Sequence, residues 1–506
     1  MAKDPRHNNI SPLPLYDFDK EEHPMKKLVS LVLSLCLLLS LCAFSAAEEL
    51  PTLEVYMYGD DLPDTQKVGD AISEITAEKI GCRIHLNVVK EFQKNMPLTM
   101  ASNEQVDLVC DAASWNYWTF AKEGAYLDIT DMLQTVTPNL YATLTSNMLE
   151  AAKVNGKIYG VPNYKDMSYQ GGLWLEKKLA DEQNIDLDKV YTLEEIEPWL
   201  EALHNDPDHV NSTLMLFGTN FNFPKMAMNQ YFSYVSQVDG FGVGIRRSEP
   251  DKIVNIYASQ EYADYCKLMY SWYEKGYIVA DVATRDSWGS YYTNGSGVGY
   301  GIKVGQYVPL GEVSNSTAYG GDIVFVKIGE CHASASDILG ATWCVASKSQ
   351  YPEQALKFIE LLDTDSQVQN LLAFGIEGEH YTLEDGKVKL ADNYTERYAS
   401  RTYLTGDLRV RALMVGESDD RNALYEAFNN EAALEPNTGF LPETEAISGQ
   451  IAASVNVINE YGKLLGNGAV DPDTYLPMFL SALEEAGFNE VINEIQAQYD
   501  AFLAQK

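Results

Sequence analysis

The residue types in this sequence that could recognise a ligand are aromatic rings beside polar side chains. Tyrosine outnumbers phenylalanine by 32 to 17, and tyrosine and tryptophan combine a flat apolar face with a polar edge. Asp111 and Trp115 follow an apolar run at residues 106–110. That run predicts a buried strand, so both residues would lie at a sheet edge where ligands of α/β proteins gather. A core that is simply rich in tyrosine is the alternative interpretation.

The sequence offers little support for a catalytic centre. None of the histidines after residue 48 has the paired spacing of a zinc hydrolase, and no G-x-S-x-G nucleophile elbow occurs. The glycine-dense stretch at residues 295–301 lacks the lysine of a phosphate-binding loop. Two carboxylates can meet from anywhere in a chain, so a glycosidase with paired acids remains an alternative. We predict no catalytic residues, no metal site and no cofactor.

The net charge excludes some classes of partner. The 506 residues carry a formal charge of −36, which argues against binding to nucleic acid or to an anionic membrane. The length is enough for two or more domains. The five cysteines beyond the N-terminal region are scattered and show no C-x-x-C spacing, so they predict buried thiols and not a disulfide framework.

The N-terminal region has the pattern of an export signal. Residues 25–27 are basic, residues 28–41 form an apolar run, and residues 43–47 are mostly small. This order predicts a signal peptide over residues 25–47. Residues 1–24 precede it and are interpreted as a non-native extension. Leu41 before Cys42 departs from the lipoprotein pattern, so lipidation is left open.

The elements that must position Asp111 and Trp115 alternate between strand and helix. Strands are predicted at residues 53–58, 82–89 and 106–110, with a helix at residues 65–80 between the first two. This β-α-β order indicates a parallel α/β sheet. The last 60 residues have helical periodicity. No flexible linker separates the two regions, so the chain is expected to cross between domains more than once.

Several segments resemble the family 1 extracellular solute-binding proteins of bacterial ABC importers. The similar segments are VNGKIYGVP at 154–162, GAYLDIT at 124–130 and SKSQYPEQALKF at 347–358. The segment AFGIEGEHY at 373–381 is similar to the LipO-like subgroup, as are residues 439–440, 460–461, 471–473 and 486–487. The resemblance spans residues 50–505 and depends on the order of the segments.

The resemblance implies a periplasmic-binding-protein-like α/β fold, with two discontinuous lobes, hinge strands and a helical C-terminal region. Residues 48–162 and 296–345 are assigned to lobe 1. Residues 163–295 and 346–506 are assigned to lobe 2. The chain is expected to cross between the lobes near residues 158–163, 295–300 and 343–349.

The family's ligand lies between the lobes, so candidate ligand-binding residues are those near the strand ends and the expected crossings. They are Asp111, Trp115, Tyr164, Lys165, Trp288, Tyr300, Lys303, Trp343, Glu377 and Tyr381. Trp343 could instead be a core residue, Glu377 could cap a loop, and Lys303 could be a surface charge. Trp118 could pack within the first lobe.

The function implied by the resemblance is a receptor that binds a sugar or oligosaccharide and delivers it to the transmembrane subunits of an ABC permease. We expect an exported monomer at the extracellular face of the membrane or in the periplasm, with membrane anchoring left open. Two alternatives remain: a secreted carbohydrate-active enzyme that uses paired carboxylates, and a peptide-binding receptor of the same export class.

Overall fold

The computed structural model describes residues 50–206, 222–235, 238, 242–284, 302–319 and 321–505. The predicted N-terminal extension and signal peptide lie outside these residues. So do Trp288, Tyr300 and the crossing predicted at residues 295–300.

The first sheet joins strands from the start and the middle of the chain. In spatial order its strands are Arg83–Val89, Thr52–Tyr58, Leu108–Asp111, Thr342–Val345 and Val161–Pro162. The first three are parallel, as predicted. Strand Thr342–Val345 runs antiparallel to both of its neighbours, so its first residue lies beside the last residue of strand Leu108–Asp111.

Helices pack on this sheet and enclose one apolar core, which we call the first core. Its buried side chains come from residues 53–167 and 333–432. The helices in this part of the chain are Thr65–Lys79, Phe92–Ala101, Tyr117–Lys122, Thr130–Thr135, Pro138–Thr143, Ser146–Ala151, Ala335–Ile338, Pro352–Thr364, Ser366–Phe374, Tyr394–Arg397 and Arg421–Glu431. Short antiparallel pairs join Lys153–Val154 to Lys157–Ile158 and Tyr381–Glu384 to Lys387–Leu390.

A second apolar core, which we call the second core, is built from residues 173–328 and 440–499. One of its sheets has the strand order Ile302–Gln306, Gly171–Glu176, Ile323–Ile328 and Val190–Tyr191, and the other has Ile253–Asn255, Val243–Arg246 and Phe232–Tyr234. The accompanying helices are Lys177–Glu182, Glu197–Asn205, Asn222–Asn229, Gln260–Glu274, Gly311–Tyr319, Ser448–Gly466, Pro472–Glu485 and Phe488–Leu503. Single 3-10 turns lie at Glu194–Ile196, Ile256–Ala258, Val282–Thr284, Thr402–Leu404 and Glu445–Ile447.

Two of the predicted domain assignments are wrong in part, since residues 333–345 do lie in the first core and residues 440–499 in the second. Residues 296–345 were expected in lobe 1, but strands Ile302–Gln306 and Ile323–Ile328 both pair with Gly171–Glu176 in the second core. Residues 346–506 were expected in lobe 2, but helices Pro352–Thr364 and Ser366–Phe374 bury their apolar faces in the first core. An amphipathic pattern shows that a face is buried, but not which sheet buries it.

Three crossing segments among the described residues connect the two cores, and they lie side by side. The chain passes between them near residues 168–171, 329–333 and 433–439. The N–H of Tyr169 donates to the carbonyl of His332 (2.6 Å), and strand His332–Ala333 pairs in parallel with Ala433–Leu434. The crossing predicted at residues 343–349 is therefore wrong, because Trp343 lies inside the first sheet.

The helical C-terminal region is confirmed by helices Ser448–Gly466, Pro472–Glu485 and Phe488–Leu503. Within the described residues, no helix is both long and apolar enough to span a lipid bilayer.

Candidate functional site

A cavity of about 260 Å³ lies against the crossing segments, and we call it the cleft. Both cores contribute to its walls. Trp118 and residues 334–337 come from the first core side, Lys225, Asn229, Tyr234 and Gln306 come from the second, and Tyr169, His332, Glu435 and residues 437–440 come from the crossing segments. The cleft therefore lies where relative motion of the two halves would open or close it.

The wall from the first core stands at an edge of its sheet. Trp118 belongs to the short helix that follows strand Leu108–Asp111. Residues 334–337 precede strand Thr342–Val345, which begins at the same edge. Ser334 starts helix Ala335–Ile338 with a capping box, in which its Oγ and N–H contact the carboxylate of Asp337. This is the carboxyl edge at which α/β sheets bind ligands.

His332 is held in one neutral form at the base of the cleft. Its Nδ1 lies 3.0 Å from the carbonyl oxygen of Glu330, which accepts the ring proton. Its Nε2 then accepts from the side-chain amide of Asn229. Burial is the main cause that lowers the pKa of His332 to about 3. His332 is therefore an uncharged wall residue near neutral pH.

Glu435 is a nearly buried carboxylate in the same wall, with 5% of its surface exposed. Arg247 binds both of its oxygens, at 2.6 and 2.9 Å. Burial raises the pKa of Glu435, and the guanidinium of Arg247 opposes that effect. The bidentate pair fixes the carboxylate while leaving lone pairs that can accept from a ligand hydroxyl.

The wall from the second core combines aromatic and amide groups. The ammonium of Lys225 lies 5.2 Å from the ring centroid of Tyr234, and the Tyr234 hydroxyl donates to the carbonyl of Lys225 (2.6 Å). Asn437 accepts from the Ser233 hydroxyl (2.9 Å) and donates to the carbonyl of Tyr234 (2.8 Å). The polar groups are thus held in place before a ligand arrives, which reduces the ordering cost of binding.

The cleft is equipped for recognition. The ring of Trp118 offers a flat apolar face, while Asn229, Lys225 and Glu435 offer hydrogen-bond donors and acceptors. No group of three or more metal-binding side chains occurs among the described residues. This combination suits a ligand with apolar ring faces and hydroxyl-rich edges.

Comparison with known proteins identifies the family. Residues 75–376, more than half of the 506-residue chain, match the family described as bacterial extracellular solute-binding protein. The chain belongs to this family. Residues 436–504, which include the last part of the cleft wall, match a domain of unknown function. The finer resemblance to the LipO-like subgroup remains a prediction.

Two relatives extend the comparison across most of this solute-binding protein. A carbohydrate ABC transporter substrate-binding protein of Streptococcus pneumoniae serotype 4 is 25% identical over 474 residues, covering 90% of this chain and 92% of the relative. The crystal structure of the N-glycan transport solute-binding protein NgtS from S. pneumoniae has a TM-score of 0.77 at 23% identity, covering 90% of this chain and 99% of that chain.

A second similar structure is an extracellular solute-binding protein from Bifidobacterium longum subsp. infantis. Its TM-score is 0.63 at 16% identity, and the match covers 90% of this chain and 99% of that chain. These likenesses confirm the periplasmic-binding-protein-like fold expected from the sequence.

The two residues predicted from the strand end do not line the cleft of this solute-binding protein. Asp111 is fully buried, where it accepts from the Tyr126 hydroxyl (2.6 Å) and from two backbone N–H groups. Burial raises its pKa to about 6. Trp115 packs against Tyr58 and Phe92, with ring centroids 5.3 and 5.1 Å apart. Both residues hold the first core together.

The residues predicted near the first and third crossings also have structural contacts. Tyr164 is buried beneath the guanidinium of Arg409, 3.6 Å from the ring centroid. The ammonium of Lys165 donates to the carbonyl of Asp166 (2.8 Å). Trp343 is fully buried in the first sheet, which gives it the core role and leaves it no surface for a ligand.

The remaining predicted residues lie elsewhere or outside the described side chains. Glu377 is exposed in a loop, and Tyr381 is buried against Phe374. Neither lines the cleft. Lys303 pairs with Trp174 through its backbone, but its side chain is not described. Trp288 and Tyr300 fall outside the described residues.

Sequence reasoning missed the residues that do form the cleft. Trp118 could have been found from the sequence, because it is a second tryptophan that follows the same strand as Trp115. Nothing in the sequence around His332, Glu435 and Asn437 indicated that they would line the cleft. They meet only because distant crossing segments pair with each other.

A second cavity, of about 370 Å³, is bordered by one of the crossing segments. Gln170 lines it, whereas the preceding residue, Tyr169, lines the cleft. Its walls also include Tyr307 from the second core side and Phe428 from helix Arg421–Glu431, with ring centroids 5.3 Å apart. Neighbouring residues of an extended segment point to opposite faces, so the crossing segments separate the two cavities.

Proposed function

We propose that this chain is the substrate-binding receptor of an ABC importer and that it binds an oligosaccharide in the cleft. The observation that carries the proposal is the composition of the cleft. Trp118 and Tyr234 supply ring faces, and Lys225, Asn229 and Glu435 supply partners for hydroxyl groups, all at the junction of two separate cores.

The relatives support a carbohydrate ligand. The 25% identical relative is named as a carbohydrate ABC transporter substrate-binding protein. Two solved structures of NgtS contain the glycans Man1GlcNAc and Man5GlcNAc. We extend this class of ligand, and the transmembrane subunits of a permease as the partner, to the present chain.

The receptor is proposed to bind its ligand without changing it. Both oxygens of Glu435 are held by Arg247, and the carboxylate of Asp337 is held by the capping box of its own helix. A glycosidase would instead need one carboxyl group available to donate a proton and another to act as base or nucleophile. Export through residues 25–47 and a monomeric state complete the proposal.

The proposal is tested by thermal shift with two ligand panels, neutral and acidic oligosaccharides on one side and short peptides on the other. A native-state ligand raises the melting temperature by mass action. We expect at least one oligosaccharide and no peptide to do so, and mass spectrometry should recover that oligosaccharide intact. Recovery of cleaved glycan would establish an enzyme, and shifts with peptides alone would establish a peptide receptor.

A further inference from the structure

The charged groups at the cleft sum to zero when Arg247, which binds the lining residue Glu435, is counted with them. The whole sequence has a formal charge of −36. Among the described residues of the cleft, Lys225 is the lining cation, and Asp337 and Glu435 are the lining carboxylates. Arg247, bound to Glu435, supplies the second positive charge. His332 adds none, because Nδ1 donates to Glu330 while Nε2 accepts from Asn229.

The hydrogen-bond donors of Arg247 are occupied by groups of the protein, so its guanidinium cannot turn toward a ligand anion. Its Nη1 and Nη2 donate to Glu435, and its Nε donates to the carbonyl oxygen of Asn229 (2.9 Å). Guanidinium groups that recognise carboxylates do so through the same paired donors. Those donors are already occupied here, so the strongest potential anion-binding group near the cleft is used internally.

Glu435 presents a fixed negative charge to whatever enters. It is 5% exposed and lies in the cleft wall. A ligand hydroxyl can donate to it, which is a favourable charge-assisted hydrogen bond. A ligand carboxylate placed beside it would lose water and be repelled, and Lys225 is the lining cation that would oppose this effect.

We propose that the cleft selects uncharged oligosaccharides and rejects those that carry carboxylates, such as uronic and sialic acids, and that Glu435 is the residue that discriminates. The inference rests on the proposed function. It narrows that function from oligosaccharides in general to those whose rims consist of hydroxyl and amide groups.

The test measures dissociation constants by calorimetry for neutral and acidic oligosaccharides with the same number of rings. Mannotriose and triacetylchitotriose represent the neutral class, and trigalacturonate and 3′-sialyllactose represent the acidic class. We expect at least one neutral glycan to bind at least tenfold more tightly than either acidic one. Equal or tighter binding of an acidic glycan would refute the inference and leave the proposed function standing. Failure of both classes would refute both.

Two variants with the same change of charge identify the residue responsible. Glu435→Gln removes the carboxylate from the cleft, whereas Glu431→Gln removes one from the second cavity. We expect Glu435→Gln to reduce the preference for neutral glycans at least threefold and Glu431→Gln to leave it unchanged. Circular dichroism checks that both fold. If Glu435→Gln does not fold, Lys225→Gln is used instead, and it should increase the preference. An equal preference in all variants would refute the role of Glu435.

Discussion

Trp115 and Trp118 have the same residue type and nearly the same position, but their surroundings differ. Trp115 packs against Tyr58 and Phe92, whereas Trp118 makes a T-shaped contact with Tyr117 and lines the cleft. Sequence position alone could not separate them. The difference arises because helix Tyr117–Lys122 begins between the two tryptophans and rotates the second one toward the crossing segments.

This difference gives a matched pair of variants. Trp118→Ala removes a ring face from the cleft, so we expect the dissociation constant for a bound oligosaccharide to rise about tenfold, equivalent to about 1.4 kcal/mol. Trp115→Ala should instead lower the melting temperature with little effect on the dissociation constant. Calorimetric titration at a temperature where both variants are folded provides the measurement. The reverse pattern would show that the ligand lies on the other side of this helix.

His332 makes the stability of the protein depend on pH in a specific range. Its pKa is lowered to about 3, while an unfolded histidine titrates near 6.5. Between these values the unfolded state binds the extra proton, so the free energy of unfolding falls as the pH falls below about 6.5, by up to about 1.4 kcal/mol per pH unit. Above that pH, His332 does not make the free energy of unfolding depend on pH.

Urea unfolding at pH 7.5 and pH 5 measures this effect. His332→Gln retains an acceptor for Asn229 but cannot titrate. We expect the wild type to lose about 2 kcal/mol more than the variant between the two pH values. Equal losses would mean that the native pKa of His332 is close to that of an unfolded histidine, so that the residue is protonated at pH 5 and adds a positive charge to the cleft at that pH.

At the scale of elements, two glycines in strand Gly171–Glu176 allow neighbouring groups of the second core to pack closely against this strand. A Cβ on Gly172 would lie 2.1 Å from the carbonyl oxygen of Val326 on the neighbouring strand and 2.5 Å from the ring of Phe325. One on Gly171 would lie 2.3 Å from the side chain of Met226. Strand pairing at this central position therefore requires the absence of a side chain.

Gly172→Ala should destabilise the protein by about 1–3 kcal/mol, because the neighbouring strand must move to admit the methyl group. Gly321→Ala is the control, since no described heavy atom lies within 4 Å of a Cβ built there. Chemical denaturation compares the two variants. Similar stabilities would show that the strand spacing in the second core is wider than the structure indicates.

The strands and helices themselves could be predicted from the sequence more completely than the elements with which each of them pairs or packs. The strands at residues 53–58, 82–89 and 106–110 and the helix between the first two are confirmed, since hydrophobic period and glycine stops are local signals. Asp365 caps helix Ser366–Phe374 by accepting from the N–H groups of Gln367 and Val368, which is also a local interaction. The association of Ile302–Gln306 with Gly171–Glu176 is not local, because residues far apart in sequence supply its two sides.

At the scale of the whole molecule, the crossing segments lie between two cavities. Closing the cleft by rotation about these segments should widen the second cavity, where Tyr307 contacts Phe428. Bulk added to the second cavity should therefore favour the closed cleft. Such coupling needs no contact between the substituted residue and the ligand.

Ala427 and Ala423 lie on the same helix and test this coupling. Ala427 is exposed and lines the second cavity, whereas Ala423 is exposed but lines neither cavity. We expect Ala427→Trp to tighten oligosaccharide binding and Ala423→Trp to leave it unchanged, as measured by calorimetric titration. Weaker binding in Ala427→Trp would mean that the two cavities do not change in opposite directions.

The candidate site depends on this global arrangement, which explains why the sequence located it only roughly. The resemblance predicted a ligand cleft between two α/β lobes, and the structure has a cavity lined by residues of both cores. The resemblance did not identify the lining residues, because the crossing near residues 329–333 was expected elsewhere and that segment supplies His332. The crossing predicted at residues 343–349 placed a candidate at Trp343, inside the first core, whereas Asp111 was chosen from its place at a strand end.

The most direct measurement is a crystal structure of the purified protein with the neutral oligosaccharide that gives the largest rise in melting temperature. We expect an intact sugar in the cleft, with one ring against Trp118 and a hydroxyl group within hydrogen-bond distance of Glu435 or Asn229. A sugar bound on another surface, or density for cleaved product in the cleft, would contradict a receptor that holds its ligand between the two cores.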